Sequence, residues 1–242
     1  IDSRDTLGGT CLNVGCIPSK SLLNLSEKFH SMKNLSEKGI EVQSVNLNLE
    51  KMMQNKEKAV STLTKGVEFL LKKNKVIFIK GVASLKSANE ILVKSNDNKE
   101  KIIETEKIVI STGSEPLSLP KIEFDEKKIL SSTGALSLKS VPKKMAVIGG
   151  GYIGLEMGSV WSRLGSDVQV VEFLDHITPG MDREISKEFL KILKKQGIQF
   201  HLESKVESLK KESEGITTKV LNKEGKKIDI KSEVVLVAIG RK

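Results

Sequence analysis

The hydrophobic positions in the second half of the chain predict alternating short strands and amphipathic helices. Residues 145–148 form an apolar run typical of a buried strand, and residues 167–172 form a second run that ends on an acid. Between these runs, apolar side chains recur every three or four residues, which predicts a helix over 152–164. The apolar positions of this helix are Ile153, Met157, Val160, Trp161 and Leu164. The order strand, helix, strand is typical of a parallel α/β sheet.

The same patterns predict the remaining elements. A long amphipathic helix is predicted over 48–74, and a second helix over 182–196 has acids at its start, lysines at its end and Gly197 just beyond it. Strands are predicted at 76–79, 91–93, 108–110, 198–201, 216–221, 227–230 and 234–238, with an antiparallel insert near the end. Prolines at 116, 120 and 142 lie between the halves, so two domains are predicted, 1–141 and 142–242.

Composition and charge narrow the function classes. The 242 residues are 38% hydrophobic and 29% charged, which is typical of a soluble globular protein. The net charge of +9 comes from dispersed lysines, and the 4% of aromatic residues do not interleave with them, so we expect no nucleic-acid partner. No apolar run approaches the roughly 20 residues of a membrane-spanning helix, so we expect no membrane insertion.

The segment 8–20 contains both cysteines of the chain, Cys11 and Cys16, in a frame of small residues. Two cysteines supply only half of a four-ligand zinc site, and the histidines lie far apart in the sequence, so we expect no metal site. These histidines are His30, His176 and His201. A structural staple across so short a loop would stabilise little. A redox-active pair is therefore the stronger interpretation.

The spacing of the cysteines predicts a break in the backbone between them. Residues five apart in a regular helix lie about 140° apart around its axis, whereas a disulfide needs Cα atoms about 4.4–6.8 Å apart. Gly15 is the residue that would permit the distortion. Pro18 suits the first turn of a following helix, which would place Cys16 near a helix N-terminus, where the dipole stabilises a thiolate.

A glycine-rich turn predicts dinucleotide binding. Three glycines with the spacing G-x-G-x-x-G lie between the strand and the helix of the second half: Gly149, Gly151 and Gly154. This context is the one in which such a motif binds a pyrophosphate at a helix N-terminus. Glu172 would accept hydrogen bonds from a ribose, and no arginine follows it before Arg183, which favours NAD over NADP. The alternative for Glu172 is a solvated acid at a strand end.

Three segments, 8–20, 131–138 and 145–172, carry a family resemblance that extends along essentially the whole chain. They resemble the dihydrolipoamide dehydrogenases, in the class I pyridine nucleotide-disulfide oxidoreductase family. The resemblance implies an α/β fold with two Rossmann-like dinucleotide-binding domains, a partial FAD-binding domain over 1–141 and a near-complete NAD-binding domain over 142–242. It implies FAD and NAD as cofactors.

The reaction implied by the resemblance is oxidation of dihydrolipoamide to lipoamide with reduction of NAD⁺ to NADH. Glutathione reductases usually carry a lysine in place of Ser19 and arginines near the position of Glu172, and this chain has neither. A glutathione or mercuric reductase type of activity remains the alternative enzyme. A third hypothesis is a nicotinamide-binding module that folds alone from about Val141 onward.

The resemblance also implies the site residues. Cys11 matches the interchange thiol, Cys16 the flavin-facing thiolate, and Lys20 a residue beside the flavin ring that pairs with Glu156. The implied FAD-binding residues are Asp2, Ser3, Arg4, Asp5, Thr6, Leu7, Gly8, Gly9, Thr10, Cys11, Lys20, Ala83, Thr112, Gly113 and Ser114. The implied NAD-binding residues are Gly149, Gly150, Gly151, Tyr152, Ile153, Gly154, Leu155, Glu156, Glu172, Val206 and Gly240.

Partners and compartment are implied in the same way. We expect a homodimer that serves lipoyl domains of 2-oxo acid dehydrogenase complexes or of the glycine cleavage system. The compartment would be the mitochondrial matrix in a eukaryote and the cytoplasm in a bacterium. We expect the chain to be an internal fragment, inactive alone, because a first glycine-rich unit for FAD and a dimerisation region with a histidine base are absent from its sequence.

Overall fold

The computed structural model describes residues 1–33, 35, 39–120 and 122–242. Three helices dominate the first half: α1 (Gly9–Val14), α2 (Cys16–Lys33) and α3 (Leu49–Lys73). The side chain of Asn48 caps α3 by accepting a hydrogen bond from the N–H of Lys51 at 2.9 Å. The predicted helix over 48–74 is confirmed. No helix within the described residues is long and apolar enough to cross a membrane.

A small antiparallel sheet follows α3. Its strands lie in the order β1 (Val82–Leu85), β2 (Glu90–Lys94) and β3 (Glu100–Glu104). β2 confirms the strand predicted at 91–93, and its Val93 is buried. The sequence pattern does not predict β1 or β3, because nearly all of their side chains are exposed and no alternation of buried and exposed positions marks them.

The strands predicted at 76–79 and 108–110 are wrong. Their β-branched residues are typical of strands, but no described segment forms a ladder with them, and the backbone beside 76–79 makes a single parallel bridge, between Asp2 and Lys80. Ile77 is 82% exposed and Val109 is 86% exposed. A strand needs a hydrogen-bonded neighbour, which an apolar run does not supply by itself.

The second half is built on a five-stranded parallel sheet. Its strands are β4 (Ile129–Leu130), β5 (Lys144–Ile148), β6 (Asp167–Val171), β7 (Gln199–His201) and β11 (Val234–Val237). Their spatial order is β4-β11-β5-β6-β7. Three helices accompany the sheet: α4 (Ser132–Ala135), α5 (Tyr152–Leu164) and α6 (Arg183–Lys195). The predicted parallel sheet and helices are confirmed, while β4 is too short to be marked by periodicity.

The predicted antiparallel insert is confirmed before the last parallel strand. It consists of β8 (Ser204–Lys211), β9 (Ile216–Asn222) and β10 (Lys227–Ser232), in the order β10-β9-β8. β8 lies outside the predicted strands, because its charged residues and a register shift between Val206 and Ser208 interrupt the apolar alternation.

Alternate side chains of the parallel sheet lie in two hydrophobic cores, one on each face. Met145 and Val147 of β5 lie in the core that includes α2 and α5, whereas Ala146 and Ile148 lie in the core shared with the insert. This alternation follows from the two-residue period of a strand. The parallel sheet is therefore packed on both faces, which gives its carboxyl ends a rigid support.

Buried polar side chains tie α3 and α5 to the end of α4. Trp161 donates from Nε1 to the carbonyl of Ala135 at 3.1 Å, and Lys56 donates from Nζ to the carbonyl of Leu136 at 2.6 Å. Both side chains are buried. Carbonyls at a helix C-terminus lack partners within the helix, so these two donors satisfy groups that would otherwise be unpaired.

The domain boundary near residue 141 stays a prediction. Upstream of it, β4 already pairs with β11, and Arg241 donates hydrogen bonds to Ser114, from Nε to Oγ at 2.7 Å and from Nη2 to the carbonyl at 2.6 Å. The segment between the two halves is therefore connected to the C-terminal sheet.

Asp125 organises the turn that leads into β4. Its Oδ1 accepts the N–H groups of Lys127, Lys128 and Ile129 at 2.7–2.9 Å, and its Oδ2 pairs with Nζ of Lys211 at 2.7 Å. Burial alone would raise the pKa of Asp125, but Lys211 and the three N–H groups outweigh it and hold the pKa well below its usual range.

We expect Asp125→Asn to lower the free energy of unfolding at pH 7 by about 1–2 kcal/mol. A depressed folded-state pKa gives stability that is present above the unfolded-state value near about 4 and is lost as the pH falls toward the folded-state value. Urea unfolding of both proteins at several pH values from 7 down to 2 should show the difference shrinking with acid. Asp229→Asn, at an exposed aspartate of β10, is the control; an equal difference at every pH would contradict the prediction.

Candidate active site

The two cysteines form a disulfide across a break between two helices. Cys11 lies in α1 and Cys16 begins α2, and their Cα atoms are 4.7 Å apart. Gly15 breaks the helical path, as predicted, with φ −134° and ψ −114°. A Cβ at Gly15 would lie 2.9 Å from the carbonyl oxygen of Thr10 and 3.0 Å from Cα of Cys11. Only glycine fits this approach of backbone to backbone.

The position of Cys16 at the start of α2 confirms the predicted helix N-terminus. Pro18 lies in the first turn, and Ser19 donates from its N–H to the carbonyl of Gly15 at 3.1 Å and from Oγ to that of Cys16 at 3.0 Å. Cys11 and Cys16 are both exposed. The dipole of an 18-residue helix therefore acts on the Cys16 sulfur and favours its thiolate.

Asn13, which sequence reasoning missed, organises the loop before α1. Its Nδ2 donates to the carbonyls of Leu7 at 3.1 Å and Gly9 at 2.9 Å, while its Oδ1 accepts from Oγ1 of Thr6 at 2.7 Å. Both donor hydrogens and the acceptor are thus used. The only sequence signal was an asparagine between the cysteines, which does not reveal these partners.

Lys20 and Glu156 meet across the two halves of the chain, as the sequence resemblance implied. Nζ of Lys20 on α2 lies 2.5 Å from Oε1 of Glu156 on α5. This contact links the helix that begins at the disulfide with the helix that follows the glycine-rich turn.

The residues assigned to FAD binding come together from three separate segments. The N–H of Asp2 donates to the carbonyl of Ile79, and the N–H of Gly81 donates to the carbonyl of Asp2, two residues before Ala83. Lys80 pairs with the carboxylate of Asp5. The segment from Asp2 onward is therefore tied to the start of β1.

The third segment approaches the start of α1. A Cβ at Gly113 would lie 3.8 Å from Oγ1 of Thr10, and this Oγ1 accepts from Nη2 of Arg4 at 3.3 Å. Ser114, beside Gly113, is held by Arg241. The other assigned residues lie in or next to the same segments: Ser3, Leu7, Gly8 and Thr112.

The glycine-rich turn has the geometry that its motif predicts. Gly149 has φ +108°, and a Cβ there would lie 2.3 Å from the carbonyl oxygen of Ala238. A Cβ at Gly154 would lie 2.3 Å from the carbonyl oxygen of Gly149, whereas one at Gly151 would meet nothing within 4 Å. The first and third glycines thus allow backbone contacts, and the second leaves open space for a ligand.

The start of α5 supplies an anion site to this turn. Gly151 caps the helix without a side-chain hydrogen bond. The first N–H groups of a helix lack partners within it, and the dipole places partial positive charge there. A pyrophosphate would be bound by the first turn of α5.

Glu172 is buried and braces the glycine-rich turn. Its Oε2 accepts the N–H of Gly150 at 2.6 Å and its Oε1 accepts the N–H of Leu174 at 2.8 Å. The carboxylate is thus not a solvated acid at a strand end, which was the alternative. Its bracing of the turn is a role that the sequence pattern did not reveal.

A cleft of about 960 Å³ opens over the turn. It is lined by assigned residues: Gly149, Gly151, Tyr152, Ile153, Glu172, Val206 and Gly240. Phe173 and Met181 also line it and were missed, because exposed apolar side chains in a loop carry no periodic signal. Leu155 was assigned as well, but its side chain is 1% exposed in the core and its N–H donates to the carbonyl of Gly151.

Arg183 forms an ion pair with Asp175 beside the cleft. Its guanidinium donates to Asp175 through two hydrogen bonds of 2.9 and 3.0 Å, and Nδ1 of His176 lies 2.7 Å from the same carboxylate. Arg183 and His176 hold the pKa of Asp175 well below its usual range. No group of His, Cys, Asp and Glu side chains suited to a metal ion occurs in the described part of the chain.

A disulfide at one helix start and a dinucleotide-type turn at another are features typical of the nucleotide-dependent disulfide oxidoreductases. The chain belongs to the pyridine nucleotide-disulphide oxidoreductase family, whose sequence model it matches over residues 2–242. The family resemblance seen in the sequence is confirmed.

Individual relatives sharpen the comparison. The chain is 56% identical over 245 residues to dihydrolipoamide dehydrogenase of Chaetomium thermophilum, covering 100% of this chain and 49% of the relative. It is 51% identical over 246 residues to mitochondrial dihydrolipoyl dehydrogenase of Dictyostelium discoideum, covering 100% and 50%. It is 50% identical over 243 residues to leghemoglobin reductase of Vigna unguiculata, covering 100% and 46%. The chain spans about half the length of these relatives.

A solved structure has the same fold. It is the Cu(II) complex of a cysteine-to-serine mutant of RclA, the HOCl-induced flavoprotein disulfide reductase from Escherichia coli, and it matches with a TM-score of 0.79 and 27% identity. The match covers 98% of this chain and 49% of that one.

Two glycine variants should separate folding from nucleotide binding. In Gly154→Ala, the new Cβ collides with the Gly149 carbonyl, so we expect unfolding to become easier by about 1–3 kcal/mol. In Gly151→Ala, the Cβ enters open space, so only the weaker N-cap preference of alanine should lower stability, by about 1 kcal/mol or less, while NADH binding is lost. Thermal unfolding and NADH fluorescence titration of the holoenzyme measure the two effects. Tight NADH binding by Gly151→Ala would contradict the assignment of this turn.

Proposed function

We propose that the chain is part of a dihydrolipoyl dehydrogenase, a flavoprotein that oxidises dihydrolipoamide to lipoamide and reduces NAD⁺ to NADH with release of a proton. The observation that carries the proposal is the contact of Lys20 with Glu156, because it joins the disulfide helix to the helix of the glycine-rich turn. Relatives named dihydrolipoamide or dihydrolipoyl dehydrogenase, at 56% and 51% identity, support this choice within the family.

The cysteine pair performs the dithiol chemistry. A substrate thiolate attacks Sγ of Cys11, the bond to Cys16 breaks, and Cys16 takes the electron pair as a thiolate. The second substrate thiol loses its proton and attacks the substrate sulfur of the mixed disulfide. This closes the ring of lipoamide and releases Cys11 as a thiolate, so that two electrons have moved from the substrate to the pair.

The two helices support the proposed roles of the sulfurs. Cys16 begins the 18-residue α2, whereas Cys11 lies within the six-residue α1. A sulfur whose thiolate is stabilised by a helix N-terminus leaves faster in exchange. Attack at Cys11 with departure of Cys16 is therefore the favoured direction.

The residues that would hold FAD are those of the segment from Asp2 to Thr10, with Lys20, Ala83 and 112–114. They fit a flavin because Gly113, with φ +78°, leaves its backbone open to a ligand: the nearest atom to a Cβ built there would be Oγ1 of Thr10, 3.8 Å away. When bound, FAD supplies two-electron transfer between a thiolate and a nicotinamide. Glu156 fixes the Lys20 ammonium, which places a positive charge about one helical turn along α2 from Cys16.

The residues that would hold NAD are those of the glycine-rich turn and the cleft above it. The start of α5 binds the pyrophosphate, and Glu172 accepts hydrogen bonds from a ribose. Arg183 is already paired with Asp175, so no free guanidinium from this residue meets a 2′-phosphate. This arrangement favours NAD over NADP.

The proposed partners are lipoyl domains of a 2-oxo acid dehydrogenase complex or of the glycine cleavage system, and a second copy of the protein in a homodimer. Several relatives are named as mitochondrial, including those of Dictyostelium discoideum and Arabidopsis thaliana. We therefore place a eukaryotic protein of this kind in the mitochondrial matrix, and a bacterial one in the cytoplasm.

The holoenzyme should oxidise dihydrolipoamide with NAD⁺, and Cys11→Ser and Cys16→Ser should each abolish turnover. Cys11→Ser leaves Cys16 free before any reduction, so this variant should show the long-wavelength absorbance of a thiolate next to oxidised flavin, whereas Cys16→Ser should lack it. Stopped-flow spectra test the absorbance, and steady-state rates with dihydrolipoamide, lipoamide and oxidised glutathione test the substrate. Faster turnover of oxidised glutathione than of lipoamide would reject this substrate in favour of a glutathione-type reductase.

Glu172→Arg should shift the ratio of kcat/KM for NAD⁺ to that for NADP⁺ toward NADP⁺ by at least tenfold. The variant removes the ribose acceptor and adds a guanidinium, but it also frees the N–H groups of Gly150 and Leu174, so both rates should fall. Steady-state kinetics give the ratio, and a thermal scan separates lost stability from altered preference. An unchanged ratio would mean that Glu172 does not contact the ribose.

A further inference from the structure

A second ion pair joins α2 to α5, beyond the one at Lys20. Nη2 of Arg163 on α5 lies 2.7 Å from Oε2 of Glu27 on α2. Glu27 follows Lys20 by seven residues, and Arg163 follows Glu156 by seven. Because the paired positions advance in the same direction along both helices, α2 and α5 run parallel.

The spacing places both ion pairs along one edge of the interface. Seven residues advance a helix by about 10.5 Å and return nearly to the same side, with a drift of about 20°. The polarity reverses between the two pairs: α2 supplies the cation to the first and the anion to the second.

This reversed polarity specifies one register. A shift of seven residues would place Lys20 opposite Arg163 or Glu27 opposite Glu156, which brings like charges together. Smaller shifts would separate both pairs. Charges flanking the seam of a coiled coil select partner and register in the same way.

The register places the two functional helix starts at the same level. Lys20 and Glu156 are each the fifth residue of their helix, because α2 begins at Cys16 and α5 at Tyr152. We propose that Glu27 and Arg163 are positioning residues that hold this register, so that the Cys11–Cys16 pair stays level with the nucleotide turn. The inference rests on the proposed function.

Burial makes Arg163 dependent on its partner. Its side chain is 16% exposed against 50% for Glu27, and its Nε has no hydrogen-bond partner among the described residues. Ser31 orients Glu27 by donating from Oγ to Oε1 at 3.2 Å. Removing the carboxylate would leave a largely buried cation uncompensated, so the contact resists separation of the helices.

The test compares two half-reactions of the holoenzyme in Glu27→Gln, Arg163→Gln and the reversed pair Glu27→Arg with Arg163→Glu. Reduction by NADH should slow about three- to tenfold in each single variant, since misplacement of reacting groups is costly. Exchange between dihydrolipoamide and the disulfide should stay within about twofold, because it takes place at Cys11 and Cys16 and involves no group on α5. Glu188→Gln, which breaks the exposed pair with Lys191, should alter neither.

The reversed pair should recover NADH reduction to within about threefold of the wild type. Thermal unfolding of the same variants should be non-additive, with the reversed pair losing less than the two singles combined. Equal slowing of both half-reactions, failure of the reversed pair to recover, or additive unfolding would overturn the proposal. A wild-type holoenzyme that NADH does not reduce would refute the proposed function instead, and the unfolding cycle would still judge the ion pair.

Discussion

The parallel packing of α2 against α5 is the constraint on which the site depends. Leu22 and Phe29 of α2 share a core with Met157, Val160 and Trp161 of α5. Since each helix begins at a functional group, a disulfide in one case and a glycine-rich turn in the other, fixing the helices fixes both groups. A loose interface would leave the disulfide and the glycine-rich turn each well formed but without a fixed position relative to one another.

Local pattern was sufficient for the parts of the fold that are periodic and buried. The strand, turn and helix around Gly149 have a buried strand, a glycine-specific turn and an apolar helix face, and each of these features is visible in neighbouring residues. The break at Gly15 followed from the reach of a disulfide. The wrong strands at 76–79 and 108–110 share the composition of true strands, and the difference lies in their missing ladder partners, which composition does not report.

The rest of the site depends on contacts between residues distant in sequence. Nothing near Glu27 indicates that it meets Arg163, and nothing near Glu172 indicates that its oxygens hold Gly150 and Leu174. The meeting of Lys20 with Glu156 was expected only through resemblance to a family. Such contacts arise from the packing of whole helices and strands, so they appear once the tertiary arrangement is known.

The hydrogen bonding of Glu172 has a consequence for how a nucleotide would enter. A carboxylate has about four lone-pair positions, and the N–H groups of Gly150 and Leu174 use one on each oxygen. One position on each oxygen stays available to hydroxyl groups. In the proposed nucleotide complex, the same side chain would keep both hydrogen bonds to the turn while it accepts the ribose hydroxyls, so little conformational entropy would be lost on association.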